Sequence, residues 1–260
     1  MRTIKETLAQ QALAARQKRA LLRTPLRFVA SGMLAGAYVG TGVVLMLSVA
    51  GPLHAQGSGW APLVGGAVFG VALTLVVFAG GELATSTMMT GVHGVAMGSV
   101  TPGSAAAGLG LTVVANLIGS FAFAMTVFAA GVLHAHPAAE QMLADLLTGK
   151  ASESPLELLA RGALCNALVC LGVWMCARLS SDAAKLVVIF WTILAFVASG
   201  FEHVIANMTT YALGILLHDP NATAALFGTN MLWVGLGNFI GGGIVVGLGY
   251  WIVGGRPRTA

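Results

Sequence analysis

The sequence predicts an all-α membrane protein of six transmembrane helices, arranged as an inverted 3+3 repeat with helices two and five broken. Three observations lead there. Hydrophobic residues make up 57% of the 260 and charged residues only 8%, against roughly 25% charged in an ordinary soluble domain. Six apolar segments each reach the roughly 20 residues that a spanning helix needs. Two polar, glycine-bearing stretches recur at matching places in the second and fifth segments.

In chain order, residues 1–27 hold seven of the thirteen Lys and Arg: Arg2, Lys5, Arg16, Lys18, Arg19, Arg23 and Arg27. The positive charge behind the net +4 is therefore concentrated in one tail. It reads as a basic amphipathic segment resting at an anionic lipid surface, not as a nucleic-acid site. The long glycine-rich run behind it lacks the cleavage pattern of a signal peptide.

Spanning segments are expected at about 28–50, 61–98, 105–133, 156–178, 184–217 and 224–253, with 254–260 as a short tail. They form one transmembrane domain over 28–253, with repeats at about 28–133 and 156–253. Pro52 and Pro62 are expected to bracket the first loop, and His136-Pro137 to open a long third loop. Segments two and five are too long for one simple span and hold polar clusters near their middles, as discontinuous helices lining a cavity do. The bias of Lys and Arg sets orientation. With the N-terminus inside, eleven are cytoplasmic, including Arg178, Lys185, Arg256 and Arg258; Lys150 is outside and Arg161 opens segment four. Both termini are expected to be cytoplasmic. Cys165, Cys170 and Cys176 share one segment in no metal-binding spacing. They read as packing residues, and neither metal nor cofactor is expected.

The repeat is visible residue by residue. "GGELATSTMM" places Gly80 two before Glu82 and Met88 six after it, and "GFEHVIANMT" places Gly200 and Met208 likewise around Glu202. The glutamates lie 120 apart, and the asparagines opening "NLIG" (Asn116) and "NFIG" (Asn238) lie 122 apart. Units with an odd number of spans must be inverted relative to one another, and the breaks then meet near the midplane, where a transported species binds.

A charge at the bilayer centre costs roughly 2.5–3.5 kcal/mol on insertion scales, so each buried ionisable residue needs a reason. Glu82 and Glu202 read first as capping or bracing the break, where a broken helix leaves N–H groups needing acceptors, and second as contacts for substrate or proton. His203 has no twin, because Leu83 takes its place in the first repeat. It is the residue expected to carry the chemistry, since imidazole donates a hydrogen bond when neutral and a proton when charged. Arg161 is an interfacial anchor or an anion-attracting charge. Asn166, Asn207 and Asn238 bridge helices or line the path; Phe69, Leu73 and Phe196 flank the breaks as packing or as a gate. Glycine clusters at 35–42 and 237–249 mark tight helix packing.

These stretches resemble the formate/nitrite transporter family. "AGAYVG" at 35–40, "GELATSTMM" at 81–89, "RGALCNALVCLGVWM" at 161–175, "FVASGFEHVIANM" at 196–208 and "GNFIGGG" at 237–243 match its signatures in order. The wording around 161–166 and 195–209 looks most like the nitrite-channel branch. The resemblance implies an aquaporin-like protomer, a pentamer with one pore through each protomer, and residence in a bacterial cytoplasmic membrane. It implies passage of a small monovalent weak-acid anion, nitrite first and formate or hydrosulfide as alternatives, by channel flux or proton-coupled transport. It also implies that His203 is central, that Thr85 faces it from the first break, and that Phe69, Leu73, Leu83 and Phe196 form constrictions.

The sequence departs from the family pattern in three places: Ala84 in Leu83-Ala84-Thr85, Thr87 at the break, and Arg161 where Lys is frequent. Among rival readings, an intramembrane enzyme using His203, Glu202 and Ser86 or Thr85 has no GxSxG or HExxH spacing to support it. A water or glycerol channel would show paired Asn-Pro-Ala breaks, which are missing here.

Overall fold

The computed structural model describes residues 1–255; residues 256–260, with Arg256 and Arg258 of the expected inner tail, lie outside the described residues. Among the described residues all regular structure is helical. A capping box between Thr3 and Glu6 starts α1 (Ile4–Leu21). Pro25 opens α2 (Pro25–Ala55) at a position where a missing N–H costs nothing. Helix α3 (Ala61–Thr74) runs on as a π-helical turn to Gly80, and α4 (Ala84–Ala96) follows. Next come α5 (Pro102–Ala129), α6 (Pro137–Ser152), α7 (Pro155–Arg178), α8 (Asp182–Ala198) and α9 (Val204–Leu216). Helix α10 (Ala224–Phe239) continues through a π-helical stretch, Ile240–Leu248, into α11 (Gly249–Gly254).

Among the described residues, five continuous helical runs are long and apolar enough to cross a bilayer: Pro25–Ala55, Ala61–Gly80, Pro102–Ala129, Pro155–Arg178 and Ala224–Gly254. The expected fifth segment instead divides into α8 and α9, of 17 and 13 residues. The expected second segment divides in the same way, its second piece being the 13-residue α4. Helix stops at Gly80 and at Ala198, two residues before Gly200; the φ angles of Gly80 and Gly200, 87° and 69°, are left-handed and suit glycine. Residues 81–83 and 201–203 then run without helix before it restarts.

Three expectations need correction. Pro52 does not border the first loop; it lies inside α2, which ends at Ala55. So near the helix end, proline forfeits only one N–H bond. The long third loop is largely α6, whose Ala139, Leu143 and Leu147 are buried at a spacing of four. That periodicity was present in the sequence, diluted by Glu140, Asp145 and Lys150. Finally, α1 does not offer its inner face to lipid. Thr7, Leu8, Gln11 and Ala15 are buried against the protein. Thr90 Oγ1 donates to Gln11 Oε1 at 3.0 Å, Ser99 Oγ to the Ala12 carbonyl at 3.1 Å, and Lys18 Nζ to a Glu82 oxygen. A face this polar and small gains more from directional partners than from acyl chains.

The long helices pair closely, α2 with α5 and α7 with α10. A Cβ on Gly119 would stand 2.0 Å from the Met33 carbonyl oxygen, and one on Gly241 1.9 Å from that of Ala163. Both obstacles are backbone, which cannot rotate aside. Gly241→Ala is therefore expected to destabilise the protomer at or beyond the top of the about 1–3 kcal/mol range for overpacking. Thermal unfolding in detergent checks this; an unchanged midpoint would mean that α7 and α10 can separate freely.

Candidate functional site

Each break is held by one asparagine from the third long helix of its half. Asn116 Oδ1 accepts the Ala84 N–H at 2.9 Å, while its Nδ2 donates to the carbonyls of Gly32 and Glu82, both at 2.8 Å. Asn238 does the same in the other half, accepting from Val204 N–H at 2.9 Å and donating to Gly162 and Glu202 at 2.8 and 2.9 Å. The acceptors for the Ala84 and Val204 N–H groups are thus amides, not the carboxylates of Glu82 and Glu202. The reason is the amide's two-sided chemistry: it accepts from the restarting helix and donates to the strand before it, whereas a carboxylate only accepts.

The carboxylates are occupied by lysines from helices outside the spanning runs. Lys18 of α1 reaches Glu82 and donates to Thr87 Oγ1 at 3.0 Å. Lys150 of α6 donates to both Glu202 oxygens at 2.5 and 2.6 Å, and Asn207 Nδ2 donates to Oε2 at 2.5 Å. Each half therefore ties an accessory helix to its own break through a Lys–Glu pair. Sequence reasoning treated Lys18 and Lys150 only as markers of orientation. Each precedes the first long helix of its half, and that shared placement was the available signal.

His203 is the residue before α9 and 5% exposed. Its Nδ1 accepts the Ala206 N–H at 3.1 Å, so the ring caps α9. With Nδ1 accepting, the neutral ring carries its proton on Nε2. That nitrogen faces Thr85 Oγ1 at 3.2 Å, from the first turn of α4. The breaks thus bring together two side chains 118 residues apart.

A cavity of ≈ 10 Å³ beside His203 is bounded by Phe69, Leu73, Leu83 and Phe196, together with Val39 and Ile193. That volume is at the threshold for one water, so the centre is closed and apolar apart from the imidazole. Phe69 and Phe196 meet edge to face, 5.9 Å between ring centroids, and Phe196 stacks on His203 at 6.0 Å. A vestibule of ≈ 470 Å³, lined by Ala61, Gly65, Val197 and Gly200, opens on the α6 side. Gly65 and Gly200 each lie four residues from an aromatic that lines the small cavity, Phe69 and Phe196, about one helical turn. Another cavity, ≈ 970 Å³, lies between α4, α5 and the 239–251 stretch, and His203 is not among its lining. It is apolar and takes no part in this site.

The remaining expected residues divide. Asn166 donates to the carbonyls of Thr85 and Asn238 at 3.2 and 2.7 Å, tying the two halves together behind the site. Asn207 joins Glu202 to Asn230. All three asparagines singled out in the sequence are buried bridges, and none borders the central cavity. Arg161 lies toward the vestibule, not at the centre. Its Nη1 is 2.5 Å from Glu153 Oε1 and 3.5 Å from the Gly200 carbonyl. Cys165, Cys170 and Cys176 are free and buried.

The family model described as formate/nitrite transporter matches residues 5–252. Over 239 residues the chain is 43% identical to the Nitrite transporter NirC of Escherichia coli (strain K12), covering 92% of this chain and 87% of that one. It is 31% identical to the Formate channel FocA of the same strain, covering 88% and 87%. Among solved structures it is similar to an FNT family ion channel, with a TM-score of 0.89, 38% identity and coverage of 95% and 98%. A pentameric formate channel with formate bound gives a TM-score of 0.78 at 28% identity, covering 89% and 98%.

Proposed function

Because the chain belongs to the formate/nitrite transporter family, we propose that each protomer passes a small monovalent weak-acid anion, nitrite first, along the line from the α6-side vestibule past His203. The family and these relatives are transporters and channels, not enzymes. The multi-pass chain is taken to sit in a bacterial cytoplasmic membrane with both termini inside, so that α6 faces outward, and to assemble as a pentamer. Formate is the second reading, supported by the likeness to formate channels.

The observation that carries this reading is the His203–Thr85 pair between apolar walls. A naked anion would lose its hydration at the Phe69–Phe196 constriction, and an unpaired ion in an apolar medium is prohibitively costly. The Nε2–H, which faces Thr85 Oγ1, is a donor beside the point where that cost peaks, and the Thr85 hydroxyl a second one next to it. Gaining a second ring proton would require Nδ1 to release the Ala206 N–H. This favours His203 as a fixed hydrogen-bond donor to the passing species over His203 as the source of its proton.

The test is flux into proteoliposomes holding the purified protein, across nitrite, formate, hydrosulfide, acetate and lactate, with and without a pH gradient. Nitrite flux above that of empty vesicles, and above that of the larger acids, is expected. Equal permeability to all five, or none, would overturn the reading.

A further inference from the structure

A cluster of four charges stands at the second break, beside the vestibule. Glu153 ends α6, and its Oε1 holds Arg161 Nη1 at 2.5 Å. The Glu153 side chain is 11% exposed and that of Arg161 42%. Glu153 Oε2 is buried and has no hydrogen-bond partner among the described residues. The other groups facing Glu153 are Lys150 on its own helix, Glu157 on α7, Glu202 at the break and Tyr211 on α9. Lys150 is committed to Glu202. Arg161 also touches the carbonyl of Gly200, which lines the vestibule.

We propose that Glu153 is the adjustable counter-charge of the vestibule: ionised, it masks Arg161, and protonated, it leaves the guanidinium charge free to draw an anion to the Gly200 rim. The geometry suits a change of charge without rearrangement. Oε1 keeps its bond from Arg161 whichever state the carboxyl is in, and the proton takes the unpartnered Oε2. Burial, and then the negative charge of Glu202, raises the carboxyl's pKa above its ordinary value. Arg161 opposes this and loses, because water screens its 42%-exposed charge while the Glu153 side chain is only 11% exposed. A carboxyl whose pKa is raised takes its proton earlier as pH falls. Anion capture from the α6 side therefore strengthens with acidity there, by an electrostatic effect on entry and not on passage.

This inference rests on the anion-pathway reading, and one experiment separates the two. Nitrite flux is measured in proteoliposomes against nitrite concentration, at acid and neutral pH on the α6 side, for the wild-type protein and for Glu153→Gln, Glu153→Asp and Arg161→Gln. Wild-type KM is expected to fall as that side is acidified. Glu153→Gln should lower the neutral-pH KM roughly two- to fivefold, as removal of one screened charge near the entrance allows. It should also flatten the pH dependence and leave kcat in place. Glu153→Asp should restore the pH dependence, and Arg161→Gln should raise KM and abolish it. A wild-type KM–pH curve in folded Glu153→Gln, or a change confined to kcat, would overturn the proposal. Absence of nitrite flux in the wild-type protein would overturn the anion reading instead.

Discussion

His203→Ala is expected to reduce nitrite flux in proteoliposomes by about 100-fold or more, the scale on which losing one donor to a charge in a dry site acts. The variant removes the Nε2–H that faces Thr85 across the closed centre, and the walls left behind are Phe69, Leu83 and Phe196. It also removes the cap on the Ala206 N–H, at about 0.5–2 kcal/mol. A flux loss could therefore be mistaken for loosening of α9, and His203→Asn separates the two. Asparagine is among the best capping residues, and its short amide does not reach Thr85 as the imidazole does. Both variants should lose flux while only the alanine variant loses stability. Wild-type flux with a wild-type pH profile in either would remove His203 from the pathway.

Lys150→Met should have the largest effect on stability, about 3–5 kcal/mol, the range for removing one partner of a buried ion pair. Glu202 is 5% exposed, and without Lys150 only Asn207 Nδ2 remains on its oxygens. Adding Glu202→Gln should recover most of the loss, because the neutral amide needs no counter-charge and can still bond Asn207. The readout is the thermal midpoint in detergent, with size-exclusion chromatography to follow assembly. If Lys150→Met alone melts like the wild-type protein, the ion pair is not what holds α6 to the second break.

Particular residues show how far the sequence could be read. The residues singled out in the sequence include Gly80 and Gly200, which have left-handed φ angles; Phe69, Leu73, Leu83 and Phe196, which line one small cavity with His203; and Thr85, whose hydroxyl lies 3.2 Å from His203 Nε2. The glutamates were expected to cap or brace the breaks; they pair there with Lys18 and Lys150, and the caps lie elsewhere. Their position before a restarting helix suggested caps, because a cap is a local pattern. The true acceptors, Asn116 and Asn238, lie more than 30 residues downstream and reach the breaks only through helix pairing. Glu153 escaped notice for the same reason. In the sequence it is a loop carboxylate beside Ser154, and its burial and its contact with Arg161 arise only when α6 folds against α7.

By itself, the sequence determined the hydrophobic runs, the duplication, the glycine-marked breaks and the singularity of His203. These are properties of composition and of spacing along one chain, and the chemistry of each residue type is enough to express them. Only the tertiary structure decided which lysine neutralises which glutamate, which amide caps which helix, and that α1 lies on protein. Those are pairings between groups 32 to 64 residues apart, or of one helix face with another. In a medium without water, buried polar groups must find their partners within the protein. Charge type alone does not choose among the available partners. For Glu82 and Glu202, the lysine within reach of the folded break does.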